Sequence, residues 1–228
     1  MLIIGHRGAP SIKPENTLES FQAALDDNVD GIELDVQLTQ DNELVVFHDF
    51  DTQKLNGKNY LIKDCTIEFL RKLTSDFKIA ILQDVLNIIP KNKQLHIEVK
   101  SNTINNKLVA LKIIELLTTY DLVSQTIISS FNPFVLSKFK ALSPDIKLGL
   151  LWTKSPSVPW FVTHYSYYKI KPYSFHASIK YINQEIINWI KNKNMQLYCY
   201  TINDQKNLKK AQSFGVDGIF SDYPNILK

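Results

Sequence analysis

The chain has 228 residues, room for one large domain or two small ones, and its 44% hydrophobic and 21% charged content is ordinary for a globular protein. Seven glycines and nine prolines are too few for a disordered chain or one built from repeated tight turns. A net charge of +3 with no run of basic residues offers no footprint for nucleic acid and only weak attraction for an anionic partner.

"MLIIGHRGAP" does not read as a signal peptide: its apolar run is short, no basic segment precedes it and no cleavage site follows. No stretch approaches the length of a transmembrane segment. Cys65 and Cys199 match no metal-ligand spacing and read as reduced thiols, so the expected compartment is the cytoplasm. Short β-branched runs predict strands at 2–5, 31–36, 95–100, 126–130, 146–151, 174–178, 196–201 and 217–222. Helix-period segments between them predict helices near 17–27, 66–74 with 81–89, 106–120, 133–142, 156–168, 182–193 and 204–214. The first helix is expected to open on a capping box, Asn16 with Glu19.

Eight strand–helix alternations in this length predict an α/β fold, a (β/α)8 TIM barrel, forming a single domain over 1–228. The doubly wound alternative would need a glycine-rich phosphate loop after the first strand, and "GHRGAP" does not supply it. After the second strand, "QLTQDNELVVFHD" reads as a turn at 40–42 and a returning strand. The predicted barrel therefore carries a small hairpin and excursion, about 36–65, between its second and third strands.

Working residues of such barrels sit at the C-terminal ends of the strands. His6 and Arg7 follow the first strand, Glu33 and Asp35 end the second, and Glu98 and Lys100 end the third. Residues two apart in a strand share a face, so each of these pairs points one way. Glu33 and Asp35 alone would fit a solvated strand face equally well. Joined by Glu98 they make a hard-oxygen site suited to one divalent cation, Mg2+ or Ca2+. Arg7 offers a forked donor to phosphate, Lys100 a point charge, and His6 with His48 an acid–base pair. Together these residues imply cleavage of a phosphoester.

Blocks of the chain, in order, also resemble a known family. "GHRGAPSIKPENT" (5–17), "GIELDVQLTQDNELVVFHD" (31–49), "HIEVK" (96–100), "ISSFNP" (128–133) and "YTINDQKNLKKAQSFGVDGIFSDYP" (200–224) are similar to the glycerophosphodiester phosphodiesterases along almost the whole length. The resemblance implies a metal-dependent barrel that hydrolyses small-molecule glycerophosphodiesters to glycerol 3-phosphate and an alcohol. It implies Glu33, Asp35 and Glu98 as metal ligands, His6 and His48 as the catalytic pair, and Arg7 and Lys100 as substrate-binding cations. Which histidine is the acid, and whether water or a glycerol hydroxyl attacks, stays open. Tyr200 stands where the family usually has Trp and is expected to wall the substrate site. The chain departs most from the family pattern after "FHD" and at "KIAILQDVL" (78–86), the region that would shape headgroup preference.

Other residues have plainer readings. Glu15 is expected to buttress the site and Asn16 to cap the first helix. His96, on the face of Glu98 but one pleat deeper, reads as a core or supporting histidine. His164 and His176 read as structural or surface residues, and Asp222 as ordering the closing loop. The aromatic stretch 152–175, with Trp160, Phe161, Tyr165, Tyr167 and Tyr168, reads as a packing cluster. Its alternatives are an apolar lip that admits acyl chains, giving lysophospholipase D activity, or a surface for homodimers or membrane contact. A non-catalytic phosphodiester-binding barrel would have lost a ligand or a histidine, and none is lost.

Overall fold

The computed structural model describes residues 1–154 and 160–227. Its elements are β1 (Leu2–His6), α1 (Leu18–Asp26), β2 (Gly31–Leu38), β3 (Leu44–Val46), α2 (Gln53–Asn56), α3 (Ile67–Lys72) and α4 (Leu82–Leu86). Then come β4 (Gln94–Val99), α5 (Lys107–Thr119), β5 (Thr126–Ser130), α6 (Pro133–Leu142), β6 (Lys147–Trp152) and α7 (Trp160–Ile170). The chain ends with β7 (Ser174–Ser178), α8 (Gln184–Asn192), β8 (Gln196–Tyr200), α9 (Gln205–Phe214) and β9 (Gly218–Ser221).

The strands pair in the order β1-β9-β8-β7-β6-β5-β4-β2-β3, and β1 also pairs with β2. That last pairing closes a ring of eight parallel strands and leaves β3 outside it, antiparallel to the end of β2. Closure explains the composition of the strands. Outer faces pack on helices, so Leu34 and Val36 are fully buried beside Leu95 and Ile97. Inner faces fill the barrel, so polar residues there must find partners inside.

The predicted eight strands and their helices are present, most ends moved by a residue or two; α4 stops at Leu86, three residues short of the expected 89, and the expected start of α7 at 156 lies outside the described residues. The excursion is a hairpin followed by short helices. With Leu70 of α3 and Ile79 beyond it, the excursion's Val45, Ile62 and Cys65 form a small core separate from the barrel's. The start of α1 differs from expectation. Its cap is Thr17, whose side chain accepts from the Ser20 N–H at 3.2 Å, so the helix opens one residue later than read. Asn16 instead adopts φ 59°, a left-handed conformation that asparagine tolerates, and its side chain turns into the barrel.

Below the rim, the barrel is filled by an aromatic layer of His96, His176, Tyr198 and Phe220, with ring centroids 5.1–5.8 Å apart. Gly149 leaves room for it: a Cβ there would lie 2.7 Å from the His176 ring. Both thiols are free and buried. Of the aromatic stretch, Tyr167 packs on Trp189 of α8 at 5.6 Å and His164 lies 4.8 Å from the same ring. The side chains of Trp160 and Phe161, and residues 155–159, lie outside the described residues. No described helix is long and apolar enough to cross a membrane.

Candidate active site

Register assembles the site. β2 lies between β1 and β4, with His6 opposite Glu33, and Asp35 opposite Glu98. Two acids spaced by one pleat on β2 are thereby joined by a third from β4. The oxygens of Glu33, Asp35 and Glu98 lie within 4.8 Å of one another. Burial and the Asp35 charge push both Glu33 and Glu98 above the ordinary carboxylate range, against the opposing pull of nearby cations. Asp35 is 1% exposed, and its Oδ1 accepts no hydrogen bond. Three clustered hard oxygens, one of them orphaned, are the donor set a divalent cation fits.

The fixed cations flank that set. Arg7, at φ 56°, donates its backbone N–H to Glu33 at 3.0 Å. Its guanidinium reaches Glu15 at 3.0 Å and lies 3.2 Å from Asp35. Lys100 donates to Glu98 at 2.8 Å and sits 3.8 Å from Asp35. Asn16, read from sequence as a helix cap, instead clasps Asp35 twice. Its amide donates to Oδ2 at 3.0 Å, and its carbonyl accepts the Asp35 backbone N–H at 3.2 Å. The same α1 entry turn thus brings Glu15 to Arg7 and Asn16 to Asp35.

Each rim histidine is gripped at Nδ1 by a carboxylate. His6 meets Asp222 at 2.6 Å, and Asp222 in turn accepts from Asn203 at 2.6 Å. His48 meets Asp49 at 2.6 Å, and Lys54 lies 2.9 Å from the other oxygen of Asp49. The grips are alike but the surrounding fields differ. Burial disfavours the charged form of His6, yet the Asp222 hydrogen bond and the Glu33 charge outweigh it and raise its pKa. Burial lowers the pKa of His48, and Arg7 and Lys100 add to that effect over the opposing pull of Asp35 and Asp49. Two imidazoles with opposite biases share one cavity.

That cavity, about 240 Å3, has His6, Arg7, Glu33, His48, Glu98 and Lys100 on its polar side. Phe131, Leu151, Tyr200 and Phe220 line the other side. Tyr200 packs edge-on to Phe131 at 6.4 Å and is held by a hydrogen bond from its hydroxyl to the Trp152 carbonyl at 2.8 Å. His176 forms part of the floor; burial drives its pKa down to about 3, so it is a neutral ring hydrogen-bonded to Ser174 at 2.9 Å. His96, equally buried and neutral, meets Gln94 at 3.0 Å.

The structure therefore brings together every residue singled out from the sequence: His6, Arg7, Glu15, Asn16, Glu33, Asp35, His48, Glu98, Lys100 and Tyr200. It adds Asp49 behind His48, and it sets Asp222, read from sequence as ordering the closing loop, behind His6 with Asn203 donating to it. Asp49 could have been suspected as the neighbour of His48. Asp222 had only its place at the end of the last strand to mark it.

A parallel barrel whose rim joins a hard-oxygen trio, fixed cations and two carboxylate-held imidazoles is the architecture of a phosphate-ester hydrolase. Comparison with known proteins narrows this. The model of the glycerophosphoryl diester phosphodiesterase family matches residues 6–226, and the chain belongs to that family. A glycerophosphodiester phosphodiesterase of Caldanaerobacter subterraneus subsp. tengcongensis is 33% identical, over 99% of this chain and 96% of its own. The crystal structure of a Thermotoga maritima glycerophosphodiester phosphodiesterase, 29% identical, superposes with a TM-score of 0.84 over 99% of this chain and 96% of that one. An Oleispira antarctica phosphodiesterase in complex with the product sn-glycerol-3-phosphate, 26% identical, gives 0.87 over 100% and 95%.

Proposed function

We propose that this chain hydrolyses glycerophosphodiesters to glycerol 3-phosphate and an alcohol, as one catalytic barrel spanning its length. The observation that carries the reading is a trio of clustered carboxylates, two of which line one cavity together with two carboxylate-held histidines. Glu33, Asp35 and Glu98 would hold one divalent cation, Mg2+ or Ca2+, both of which take oxygen ligands. When bound, that ion supplies Lewis-acid polarisation of a phosphoryl oxygen.

The chain's own groups do the rest. Arg7 and Lys100 hold the phosphate oxygens, and Tyr200 with Phe131 walls the glycerol carbons. His48, biased toward the neutral form, takes the proton of the attacking oxygen, either of water directly or of the glycerol hydroxyl, in which case a water then opens the cyclic phosphate with the two histidines exchanging roles. His6, biased toward the charged form, gives a proton to the departing alcohol oxygen. Asp49 and Asp222 fix the tautomers by accepting the Nδ1–H, leaving Nε2 of each ring for the substrate.

Release of glycerol 3-phosphate from glycerophosphodiesters tests the proposal. EDTA should abolish it, Mg2+ or Ca2+ should restore it, and His48→Ala should lower kcat/KM by about 100-fold or more with the fold intact. A metal-stripped enzyme of full activity would sink the mechanism. The two free thiols support a reducing, cytoplasmic setting.

A second reading, turnover of lysophospholipids, draws on an apolar cavity of about 230 Å3 beside the site, which shares Phe131 and Leu151 with it and continues to Trp152 and Val162. Lysophospholipids turned over no faster than background, with glycerophosphodiesters cleaved normally, would exclude it.

A further inference from the structure

A second cavity, also of about 240 Å3, lies on the far side of Lys100, so that this one side chain walls both it and the acidic site. Its other walls come from the excursion and from the loop after β4. Six of its lining residues set its chemistry: Lys63 and Lys100 are cationic, and Gln37, Asn102, Thr103 and Asn105 are neutral hydrogen-bonding groups. No carboxylate lines it, and Phe50 is its one aromatic ring among the described residues.

The walls are held in place. Asn132 donates to the carbonyls of Ser101 and Thr103 at 3.0 and 2.8 Å, and Ser101 donates to Asn106 at 2.6 Å. Gln37 donates to the carbonyls of Phe47 and Asp49 at 2.8 and 2.7 Å, which ties this wall to the segment after β3 that carries His48. A phosphodiester has two arms. The acidic site, with its short apolar wall, suits the glycerol arm shared by all such substrates. The arm that varies needs a separate seat next to the phosphate, and Lys100 marks that boundary.

Building on the phosphodiesterase reading, we infer that this second cavity seats the leaving alcohol and selects hydroxyl-rich, non-cationic headgroups, glycerol or inositol, over choline and ethanolamine. Amide and hydroxyl groups pair with a polyol. A quaternary or primary ammonium group is recognised by carboxylates and by stacked aromatic faces, and here it would meet the Lys63 cation and no carboxylate.

The test compares kcat/KM for glycerophosphoglycerol, glycerophosphoinositol, glycerophosphocholine and glycerophosphoethanolamine, at low and high salt. The first two should exceed the last two by about tenfold at low salt, and the gap should narrow as salt screens the lysines. Lys63→Glu, at an exposed position, and Asn102→Asp on the opposite wall should each shrink the ratio by about fivefold with unchanged melting. Equal kcat/KM for all four substrates, or a ratio moved by neither variant, would overturn the subsite and leave the phosphodiesterase reading standing. Turnover of none of the four with Mg2+ or Ca2+ present would overturn the phosphodiesterase reading itself.

Discussion

Asp222→Asn isolates the charge that biases His6 while keeping the size of the side chain. The native contact is 2.6 Å, which places the charge centres roughly 4 Å apart, and an effective dielectric near 20 gives an attraction of about 4 kcal/mol. Both side chains keep some contact with water, at 17% and 28% exposure, so about half of that is a fair working value. Two kcal/mol corresponds to roughly 1.5 pKa units. The amide cannot recover the network by turning over. Asn203 is fixed by accepting the backbone N–H of residue 222 at 2.9 Å, so its NH2 would face another NH2. If His6 is the acid, activity falls as pH rises through its pKa. The alkaline limb of the kcat/KM profile in Asp222→Asn should therefore move down by about 1.5 units, with kcat/KM about 30-fold lower at pH values beyond the wild-type limb. The same pKa, raised above its unfolded value, contributes stability that is fully present below pH about 6.5 and is lost as pH rises through the folded value. Stopped assays across pH 5–10, with denaturant melts at the two ends, measure both effects. An unmoved alkaline limb would refute the role given to His6 and Asp222.

Three further outcomes follow from the same electrostatics and packing. Glu33→Gln should abolish activity yet raise the melting temperature of the metal-free protein at pH 8. The buried carboxylate is costly to ionise there, so the difference should shrink as pH falls below about 8 and vanish only near 4.5, where the unfolded chain's carboxyl is protonated as well. Gly149→Ala should cost about 1–3 kcal/mol in urea unfolding, because the added methyl meets the buried His176 ring at 2.7 Å; unchanged stability would mean the aromatic layer is loose. Cys199 is fully buried and its thiol is pushed up to about 12, so a thiol reagent such as DTNB should label it only as fast as the protein unfolds.

How much of this was legible depended on the distance over which each signal acts. The strands were readable because a closed parallel barrel buries both faces, and runs such as "GIELDV" or "TIISS" record that directly. The helices were readable from their period and caps, except where two caps overlap. Asn16 with Glu19 and Thr17 with Ser20 both offer a side-chain acceptor before the same helix. Only the need of buried Asp35 for a partner assigns Asn16 to the barrel and Thr17 to the helix. Within the excursion, α2 and the turns around it left no periodic trace, since residues 50–61 are largely polar and exposed.

The residues that sequence could not assign are those whose partners lie on other strands. His176 seemed to stand alone, yet His96, Tyr198 and Phe220 meet it from three different strands, and Gly149 on a fourth makes its space. Asp222 is 216 residues from His6, and only the pairing of β1 with β9 brings them into contact. Closure of the ring therefore has a chemical consequence beyond stability. It gives His6 the carboxylate that favours its charged form, while the excursion gives His48 a carboxylate of its own beside the lowering fields of Arg7 and Lys100. One imidazole depends on the last strand of the barrel and the other on an insertion outside it. Loosening the excursion should therefore weaken the base and spare the acid, and fraying β9 should do the reverse.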